Sequence, residues 1–488
     1  MSVVTTPRRA PRVALRWALA GLTAGLLACA GSGAPARQDF AGPAAKWRGA
    51  AADLLSRSLQ FETVNPPGNE APLARFLADW ALAQGLEAEV VELPDPRAPR
   101  GRAALVVRVR GRGTPGAVIL LSHLDVVPAG DEGWEAPPFA GTRVGEAVVG
   151  RGALDAKGVT VTHLIAALRL AVRERPLARD LLVIAVPDEE KGGLGGAAAL
   201  IEKRPDLVDG ARYLLGEGGS ISPGITGRRS LWAVGFTEKS PCWLDVRAKG
   251  LSGHGASGQR GTAVQRLLRA LGRIQDLPFP VRVVPEVART FRSLAPLAPE
   301  GDEGHWIDLR RSLSEDPDFR ERFLAEPGQA ARVRDTLAIT RLRSGDGYNR
   351  LTDEAVAGLD LRLLPGGDCA ATAARLREAI DDPAVTVEVH LAFESRSSPV
   401  ETALMAAIEG AARKLDPGAL VAPSLQLGWS DAHWFRARGV VAYGFVPRRL
   451  RPIDLRSIHG PGERLTIDNL VLGIEGTVSI LEELDRDR

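Results

Sequence analysis

The feature that most constrains the fold is an alternation of short apolar runs with helical segments. Leu181–Val186 is a run of six aliphatic residues, and such a run is typical of a strand buried on both faces of a parallel sheet. Two more β-rich runs, 103–109 and 117–122, come earlier in the chain, and an Ala- and Leu-rich helical segment at 159–172 lies between them and Leu181–Val186. This alternation predicts an α/β fold with a central, mostly parallel sheet flanked by helices.

The pattern changes near residue 236. Residues 243–248 alternate apolar and polar side chains, which predicts an antiparallel strand with one solvated face, and 262–277 has the spacing of an amphipathic helix. Further strand and helix segments at 355–364, 371–380 and 384–393 complete a small α+β unit.

From about residue 400 the α/β pattern resumes. We therefore predict a large domain in two parts, 45–235 and 395–488, with an α+β domain of antiparallel strands and helices inserted at 236–394. Residues 285–350 carry additional helix-like sequence rich in Arg and Glu, to which the pattern assigns no place.

The N-terminus has the features of an export signal. Four arginines between residues 8 and 16 precede an apolar stretch that ends in Leu-Leu-Ala-Cys29. This resembles a bacterial lipoprotein signal at 1–28, after which Cys29 would carry the lipid and 29–44 would form a tether. A plain secretory signal is the alternative. Either reading predicts an exported protein, periplasmic or in the cell envelope, whose membrane contact is limited to the N-terminal lipid.

Charge and cysteine content exclude some functions. The chain has 62 Lys and Arg against 60 Asp and Glu, a formal net charge of +2, which gives no support for a nucleic-acid partner. Besides Cys29, only Cys242 and Cys369 occur. They form no CxxC metal motif, and we expect two free buried thiols rather than a disulfide.

Acidic residues and histidines occur where apolar runs end. His123 and Asp125 follow the run at 117–122 and lie on the same side of an extended chain, although solvent could satisfy both. Asp155 ends a Gly-rich loop before a helix, where it could instead be an N-cap. Each of these observations is weak when taken alone.

Three further positions strengthen the pattern. Asp188, Glu189 and Glu190 follow Leu181–Val186, Glu217 follows another apolar run, and His459 precedes the last helix. Consecutive acids beside a buried strand are costly unless a cation neutralises them. Loops at the carboxyl ends of strands meet at one edge of an α/β sheet. Imidazole and carboxylate ligands without thiolates suit a catalytic zinc site.

Two longer motifs carry a resemblance to a known family. They are Gly133-Trp-Glu-Ala-Pro-Pro-Phe139 and Gly150-Arg-Gly-Ala-Leu-Asp-Ala-Lys-Gly158. With the segments above, they resemble the zinc exopeptidase family that includes aminoacylase, glutamate carboxypeptidase and succinyl-diaminopimelate desuccinylase. The resemblance covers about 45–488. The long chain and its extra segment at 285–350 are most similar to the carboxypeptidase S branch of this family.

The resemblance implies a role for each matched residue. Asp155 would bridge two zinc ions, for which Co²⁺ or Mn²⁺ could substitute. His123 and Glu217 would complete one site, and Glu190 and His459 the other. Asp125 would orient His123. Glu189 would be the general base that accepts a proton from the attacking water and returns it to the leaving nitrogen.

The inserted domain would then act as a lid and as a dimerisation domain. His254 matches the family's lid histidine, an oxyanion donor that often reaches across a dimer. Asn349 and Arg362 match lid positions that hold a substrate carboxylate, and an Arg fork suits that group, although Arg362 could also be an ordinary strand arginine. The loop at 428–432 matches one near the substrate. We expect His163, His305, His390 and His433 to be ordinary histidines.

These features predict a two-zinc hydrolase that cleaves an amide bond next to a free carboxylate, as a carboxypeptidase or dipeptidase does. An N-acyl amino acid amidohydrolase of the aminoacylase type is the alternative. A peptide-binding protein without activity is a third reading, which a missing ligand or base would have favoured, and none is missing.

Overall fold

The computed structural model describes residues 39–40, 42–130, 132–224 and 229–486. The predicted export signal, the lipid attachment at Cys29 and most of the tether lie outside the described residues. None of the helices described is both long enough and apolar enough to cross a membrane.

Strands from both halves of the chain build the sheets. The strands are β1 (Glu87–Glu92), β2 (Ala103–Val109), β3 (Val118–His123), β4 (Thr142–Val144), β5 (Ala147–Val149), β6 (Leu181–Val186), β7 (Tyr213–Gly216), β8 (Ile221–Ser222), β9 (Leu231–Glu238), β10 (Ser240–Lys249), β11 (Gly253–His254), β12 (Thr336–Arg343), β13 (Arg350–Leu351), β14 (Glu354–Leu363), β15 (Val385–Ala392), β16 (Leu420–Gln426), β17 (Val441–Gly444) and β18 (Arg464–Thr466).

Helices cover these sheets and form one separate group. The helices are α1 (Ala44–Leu59), α2 (Ala71–Ala83), α3 (Lys157–Ala171), α4 (Ala199–Lys203), α5 (Ala263–Gln275), α6 (Pro285–Leu294), α7 (Glu303–Ile307), α8 (Leu309–Glu315), α9 (Pro317–Ala325), α10 (Pro327–Arg332), α11 (Cys369–Ile380), α12 (Ala403–Leu415), α13 (Ala432–Arg436), α14 (Pro452–Ser457) and α15 (Ile467–Arg486).

The large sheet runs in the order β1-β2-β6-β3-β7-β17-β9-β16, with β8 beside β9. Its centre is parallel, since β3 pairs in parallel with both β6 and β7, and β7 with β17. Every residue of β3 and β6 is buried, because separate apolar clusters cover the two faces. The predicted α/β fold with a mostly parallel central sheet is confirmed.

The smaller sheet is antiparallel and has the order β12-β14-β10-β15. Helices α5 and α11 pack on one face of it over aliphatic residues, and the other face carries most of the polar side chains. A capping box at Thr262 begins α5. The predicted antiparallel strands and helices of this region are confirmed, with β12 as a strand that the sequence pattern did not assign.

Residues 285–350 contain α6 to α10, then β12 and β13. Their apolar cluster includes Leu364, which follows β14, and Leu425 of β16. This helical group therefore contacts both sheets. The chain passes from β9 to β10 at the buried Lys239, whose ammonium donates to the carbonyl oxygens of Ala331 and Arg334. The domain boundaries stated above stay predictions.

Cys242 and Cys369 form a disulfide. The expectation of two free thiols was wrong. Cys242 lies on β10 and Cys369 begins α11, and the packing of this helix on the sheet brings their Cα atoms to 5.5 Å. The sequence separation of 127 residues hid a proximity that only the tertiary fold creates.

Candidate metal centre

Three parallel strands bring acids and an imidazole to one edge of the large sheet. β3 ends at His123, which stands opposite Val186 at the end of β6. Asp188, Glu189 and Glu190 follow β6, and Glu217 follows β7. Because parallel strands end at the same edge, residues far apart in sequence meet there.

Asp155 lies between the two histidines and contacts each with a different oxygen. Its Oδ1 is 3.0 Å from Nε2 of His123, and its Oδ2 is 3.2 Å from Nε2 of His459. Nε2 of His123 is also 3.3 Å from Oε2 of Glu217, and Nε2 of His459 is 3.3 Å from Oε1 of Glu190. The five predicted ligands therefore come together, with Asp155 shared by two sets.

Possible ligand atoms within these sets lie close enough to hold a cation. In His123, Asp155 and Glu217 they are all within 4.8 Å of one another, and the same holds for Asp155, Glu190 and His459. Glu189 belongs to a third such set with His123 and Glu190, but its Oε2 is farther from His123, at 4.0 Å from Nε2. Two nitrogen and three carboxylate ligands fit divalent cations such as Zn²⁺.

Asp125 holds two parts of the centre in position through hydrogen bonds. Nδ1 of His123 is 2.9 Å from the carbonyl oxygen of Asp125, so that Nε2 faces the acids. The Asp125 carboxylate accepts hydrogen bonds from the backbone N–H groups of Glu189 and Glu190, each at 3.1 Å, and from the Asn65 amide at 2.8 Å. Asp125 thus fixes both the imidazole and the turn that carries two acids.

Glu463 holds the loop that carries Asp155. Its carboxylate accepts from the backbone N–H groups of Leu154 at 2.8 Å and Asp155 at 3.0 Å. The guanidinium of Arg151 donates to it at 2.5 Å, and Glu463 is fully buried. Since His459 and Glu463 lie four residues apart, one segment supplies a candidate ligand and the anchor of another.

A glycine-rich turn makes room for the acids after β6. Gly193 has φ +69°, and a Cβ there would lie 1.9 Å from Oδ1 of Asp431. At Gly196 a Cβ would lie 1.7 Å from the carbonyl oxygen of Pro187. Larger residues at these positions would displace the turn that bears Glu189 and Glu190.

The electrostatics of the centre favour positive charge. Hydrogen bonds to Asp155 and Glu190 raise the pKa of His459 to about 10. Burial lowers the pKa of His123, but the charge of Glu217 and hydrogen bonds to Asp125 and Asp155 outweigh it and raise this pKa well above 6.5. Burial and the charge of Glu217 raise the pKa of Glu189 well above 4.5. The acids gathered at this edge of the sheet therefore stabilise positive charge there.

The centre opens into a cavity of about 660 Å³ between the large sheet and the smaller sheet. Arg362 lines it, 6.0 Å from the rings of both Trp243 and Trp429. Its Nε and Nη2 donate to the carboxylate of Asp360 at 2.8 and 3.1 Å. Arg362 is therefore part of the cavity and not an isolated surface arginine.

The other two lid residues do not join the centre within this chain. His254 and Asn349 are exposed on the β11–β13 ribbon, the small two-stranded antiparallel sheet that these distant strands form, where the carbonyl of Asn349 accepts from the N–H of Gly255. Neither is among the residues that line the cavity in the described part of the chain.

Sequence reasoning missed several supporting residues. Asn65 donates to both Asp125 and Asp188, and Arg102 contacts Asp188 and Glu70 within 3.0 Å. Arg448 lines the cavity and donates to the carbonyl of Leu154. Only Glu463 had a visible signal, its place in the same short motif as His459.

Comparison with known proteins agrees with this architecture. Human aminoacylase-1 is 26% identical over 438 residues, which cover 88% of this chain and 94% of that protein. The human N-fatty-acyl-amino acid synthase/hydrolase PM20D1 is 25% identical over 378 residues, covering 76% of this chain and 74% of that protein.

Solved structures share the fold. The M20 family metallo-carboxypeptidase Sso-CP2 from Sulfolobus solfataricus matches with a TM-score of 0.69 at 17% identity, covering 89% of this chain and 99% of that one. Human carnosine dipeptidase 1 matches with a TM-score of 0.68 at 15% identity, over 90% and 97%. The description Peptidase family M20/M25/M40 fits residues 119–483, and the chain therefore belongs to this family.

Proposed function

We propose that the chain hydrolyses an amide bond next to a free carboxylate, with two divalent cations, in the first place Zn²⁺. The observation that carries this proposal is the position of Asp155, whose two oxygens each contact a different histidine at 3.0 and 3.2 Å. A carboxylate placed in this way suits a bridge between two cations. His123 and Glu217 would hold one cation with it, and Glu190 and His459 the other.

The residues around the cluster suit acid–base chemistry. Two bound cations would supply Lewis acidity and make a water molecule acidic enough to attack at neutral pH. Glu189 is buried beside the ligands without being the nearest acid to either imidazole. Its backbone is fixed by Asp125. It is therefore placed to accept the proton of the water and to return it to the leaving nitrogen.

The cavity suggests how the substrate carboxylate is held. Within the described residues, Nη1 of Arg362 has no hydrogen-bond partner, because Asp360 engages only Nε and Nη2. Arg362 can thus bind a carboxylate while it stays positioned by Asp360. Such a substrate is a peptide or an N-acyl amino acid, and relatives bear names of both kinds.

A homodimer would complete the site. His254 and Asn349 are exposed on the β11–β13 ribbon, and we propose that they reach the cavity of a second copy paired through the lid domain. His254 would then donate to the oxygen that becomes negative during attack, and Asn349 would help to hold the carboxylate.

We further propose export and lipidation at Cys29. The Cys242–Cys369 disulfide supports an oxidising compartment, since disulfides are rare in the cytosol. Replacement of Cys29 by Ala should move the protein from the membrane fraction to the soluble fraction. Equal distribution of both forms would refute lipidation.

The decisive test of the proposed function is Glu189→Ala. We expect kcat/KM on N-acyl amino acids and dipeptides to fall about 10²- to 10⁴-fold, with metal content unchanged. Glu202→Ala on α4, which is exposed, is the control and should keep full activity. Retained turnover in Glu189→Ala would exclude Glu189 as the base. No turnover of any amide by the metal-loaded wild type would point to the binding-protein alternative.

A further inference from the structure

Lys239 lies where the chain passes from the large sheet to the smaller sheet, and it is fully buried. Its Nζ donates to the carbonyl oxygens of Ala331 at 3.1 Å and Arg334 at 3.0 Å, and to the hydroxyl of Thr336 at 3.0 Å. An ammonium group has three N–H donors, and all three are used. The backbone N–H of Lys239 donates to the carbonyl oxygen of Gln426 on β16. Lys239 therefore joins the large sheet to the end of α10 and to the start of β12.

The same lysine is linked to both strands that flank Arg362. In the smaller sheet, Thr336 on β12 stands opposite Arg362 on one side, and Pro241 on β10 stands opposite it on the other side. Thr336 is an acceptor of the Lys239 ammonium group, and Pro241 lies two residues after Lys239 in the chain. The backbone of Arg362 is therefore held between two segments whose positions depend on Lys239.

A second set of contacts attaches this end of β14 to the segment that leads into α6. The carboxylate of Asp335 accepts from Nη2 of Arg282 at 2.8 Å and from the backbone N–H of Leu364 at 2.7 Å. The backbone N–H of Arg282 donates to the carbonyl oxygen of Val333 at 2.7 Å. Because Leu364 lies two residues after Arg362, these contacts restrict the same part of the smaller sheet.

The helices α6 to α10 are also attached to the large sheet. The backbone N–H of Leu425 on β16 donates to the hydroxyl of the buried Thr290 on α6 at 3.0 Å. The apolar cluster of these helices includes both Leu425 and Leu364. We name Lys239 together with residues 285–332 the brace. The brace thus extends from β16 of the large sheet to the end of β14 that carries Arg362.

We propose that the brace sets the distance between Arg362 and the candidate metal centre, with Lys239 as a positioning residue for the substrate carboxylate. This inference rests on the proposed function, in which Arg362 binds that carboxylate. The hydrogen bonds from Arg362 to Asp360 fix its guanidinium only within the smaller sheet, whereas the candidate ligands gather at an edge of the large sheet. A misplacement of about 1 Å between groups that hold a substrate can lower the rate about 10²-fold. A fixed link between the two sheets therefore keeps Arg362 at a useful separation from the centre.

The test uses two compounds with the same scissile bond, N-acetyl-leucine and N-acetyl-leucinamide, of which only the first has a carboxylate. Initial rates of acetate release give kcat and KM for each. The wild type should prefer the acid about 10²-fold in kcat/KM, as expected of hydrogen bonds between charged groups. In Lys239→Met the KM for the acid should rise and the preference should fall about tenfold, because the fork of Arg362 is displaced. The kcat/KM for the amide and the metal content should stay unchanged.

Lys249→Met is the matched control, because Lys249 is exposed at the far end of β10. Its preference for the acid should equal that of the wild type. If Lys239 served the fold alone, Lys239→Met would lower kcat/KM for both compounds by the same factor. An unchanged preference in Lys239→Met would therefore overturn the inference and leave the proposed hydrolysis intact.

Thr336→Val decides the question if Lys239→Met does not fold, because it removes only one of the three acceptors and keeps the size of the side chain. It should lower the preference for the acid about threefold, the effect of one neutral hydrogen bond. In Arg362→Met the preference should already be lost, and adding Thr336→Val should not change it further. The same preference in Thr336→Val and in the wild type would contradict the inference.

The wild type separates failure of the inference from failure of the proposed function. If it cleaves neither acetyl compound, alanyl-leucine and alanyl-leucinamide provide the same comparison. Equal kcat/KM for the acid and the amide would show that Arg362 does not bind the carboxylate, and the inference would fail with that role. If the metal-loaded wild type cleaves none of the four compounds, the proposed function itself fails and the inference with it.

Discussion

The candidate metal centre and the β11–β13 ribbon differ in what holds their residues in place. Around the centre, Asp125 and Glu463 bind the backbone of the turns that carry Glu189, Glu190 and Asp155. On the β11–β13 ribbon, His254 and Asn349 are exposed and are not among the described residues that line the cavity. One chain is therefore sufficient to bring the candidate ligands together, whereas a role of His254 and Asn349 at the site stays a prediction.

The largest effect should come from the residue shared by both halves of the centre. Asp155→Asn removes the charge that two cations would share, so we expect fewer than two bound metal ions per chain. Activity should fall on the order of 10³-fold or more, since several kcal/mol of transition-state stabilisation depend on the cations. Metal analysis and kcat/KM check this. Two metal ions retained with full activity would show that Asp155 is not the bridge.

The difference between these regions also explains what the sequence could predict. His123, Glu190 and Glu217 follow buried apolar strands, and the rule that such strands end at a common edge of the sheet is sufficient to group them. The central sheet could also be predicted from the sequence, because runs such as Leu181–Val186 are compatible with few environments other than a buried strand.

Other features could not be predicted, because they depend on contacts between distant segments that leave no pattern in the local sequence. Asn65 lies 60 residues from Asp125, to which it donates, and nothing near Asn65 in the sequence indicates this contact. The Cys242–Cys369 disulfide and the placement of α6 to α10 between two sheets likewise result from packing between distant segments. Helical periodicity predicted helices in that region but not which surfaces they would cover.

The next effect tests whether a second copy completes the site. His254→Ala should lower kcat about 10²- to 10³-fold, the usual cost of losing an oxyanion donor. Tyr348→Ala is the control, because Tyr348 is fully exposed in the loop between β12 and β13, next to Asn349. Mixing His254→Ala with Glu189→Ala should restore about a quarter of wild-type activity, because random pairing gives half hybrids with one intact site each. No recovery on mixing would place His254 in its own chain's site or outside the chemistry.

A smaller loss of metal affinity or activity is expected when Glu463, which anchors the loop of Asp155, is replaced. Glu463 receives hydrogen bonds from Arg151 and from backbone N–H groups. In Glu463→Gln the amide NH₂ would face these donors, so the loop should shift. Metal affinity or activity should fall about 10- to 100-fold, measured by titration with a metal chelator. The exposed Glu409→Gln on α12 is the control, and equal metal affinity in both variants would contradict the anchoring role.

The smallest expected effect is on stability alone and concerns His163 on α3. His163 is fully buried, and neither ring nitrogen has a hydrogen-bond partner among the described residues. Burial, and to a lesser extent the charge of Arg448, lowers the pKa of His163 to about 3. Between pH 6.5 and 3 the imidazole of His163 binds a proton in the unfolded chain but not in the folded chain, so the free energy of unfolding must decrease as the pH falls through this window.

His163→Leu should remove this pH-dependent loss of stability, which amounts to about 2 kcal/mol between pH 6.5 and 5. Urea unfolding of both proteins at these two pH values measures the difference, and equal losses would show that His163 is protonated inside the fold.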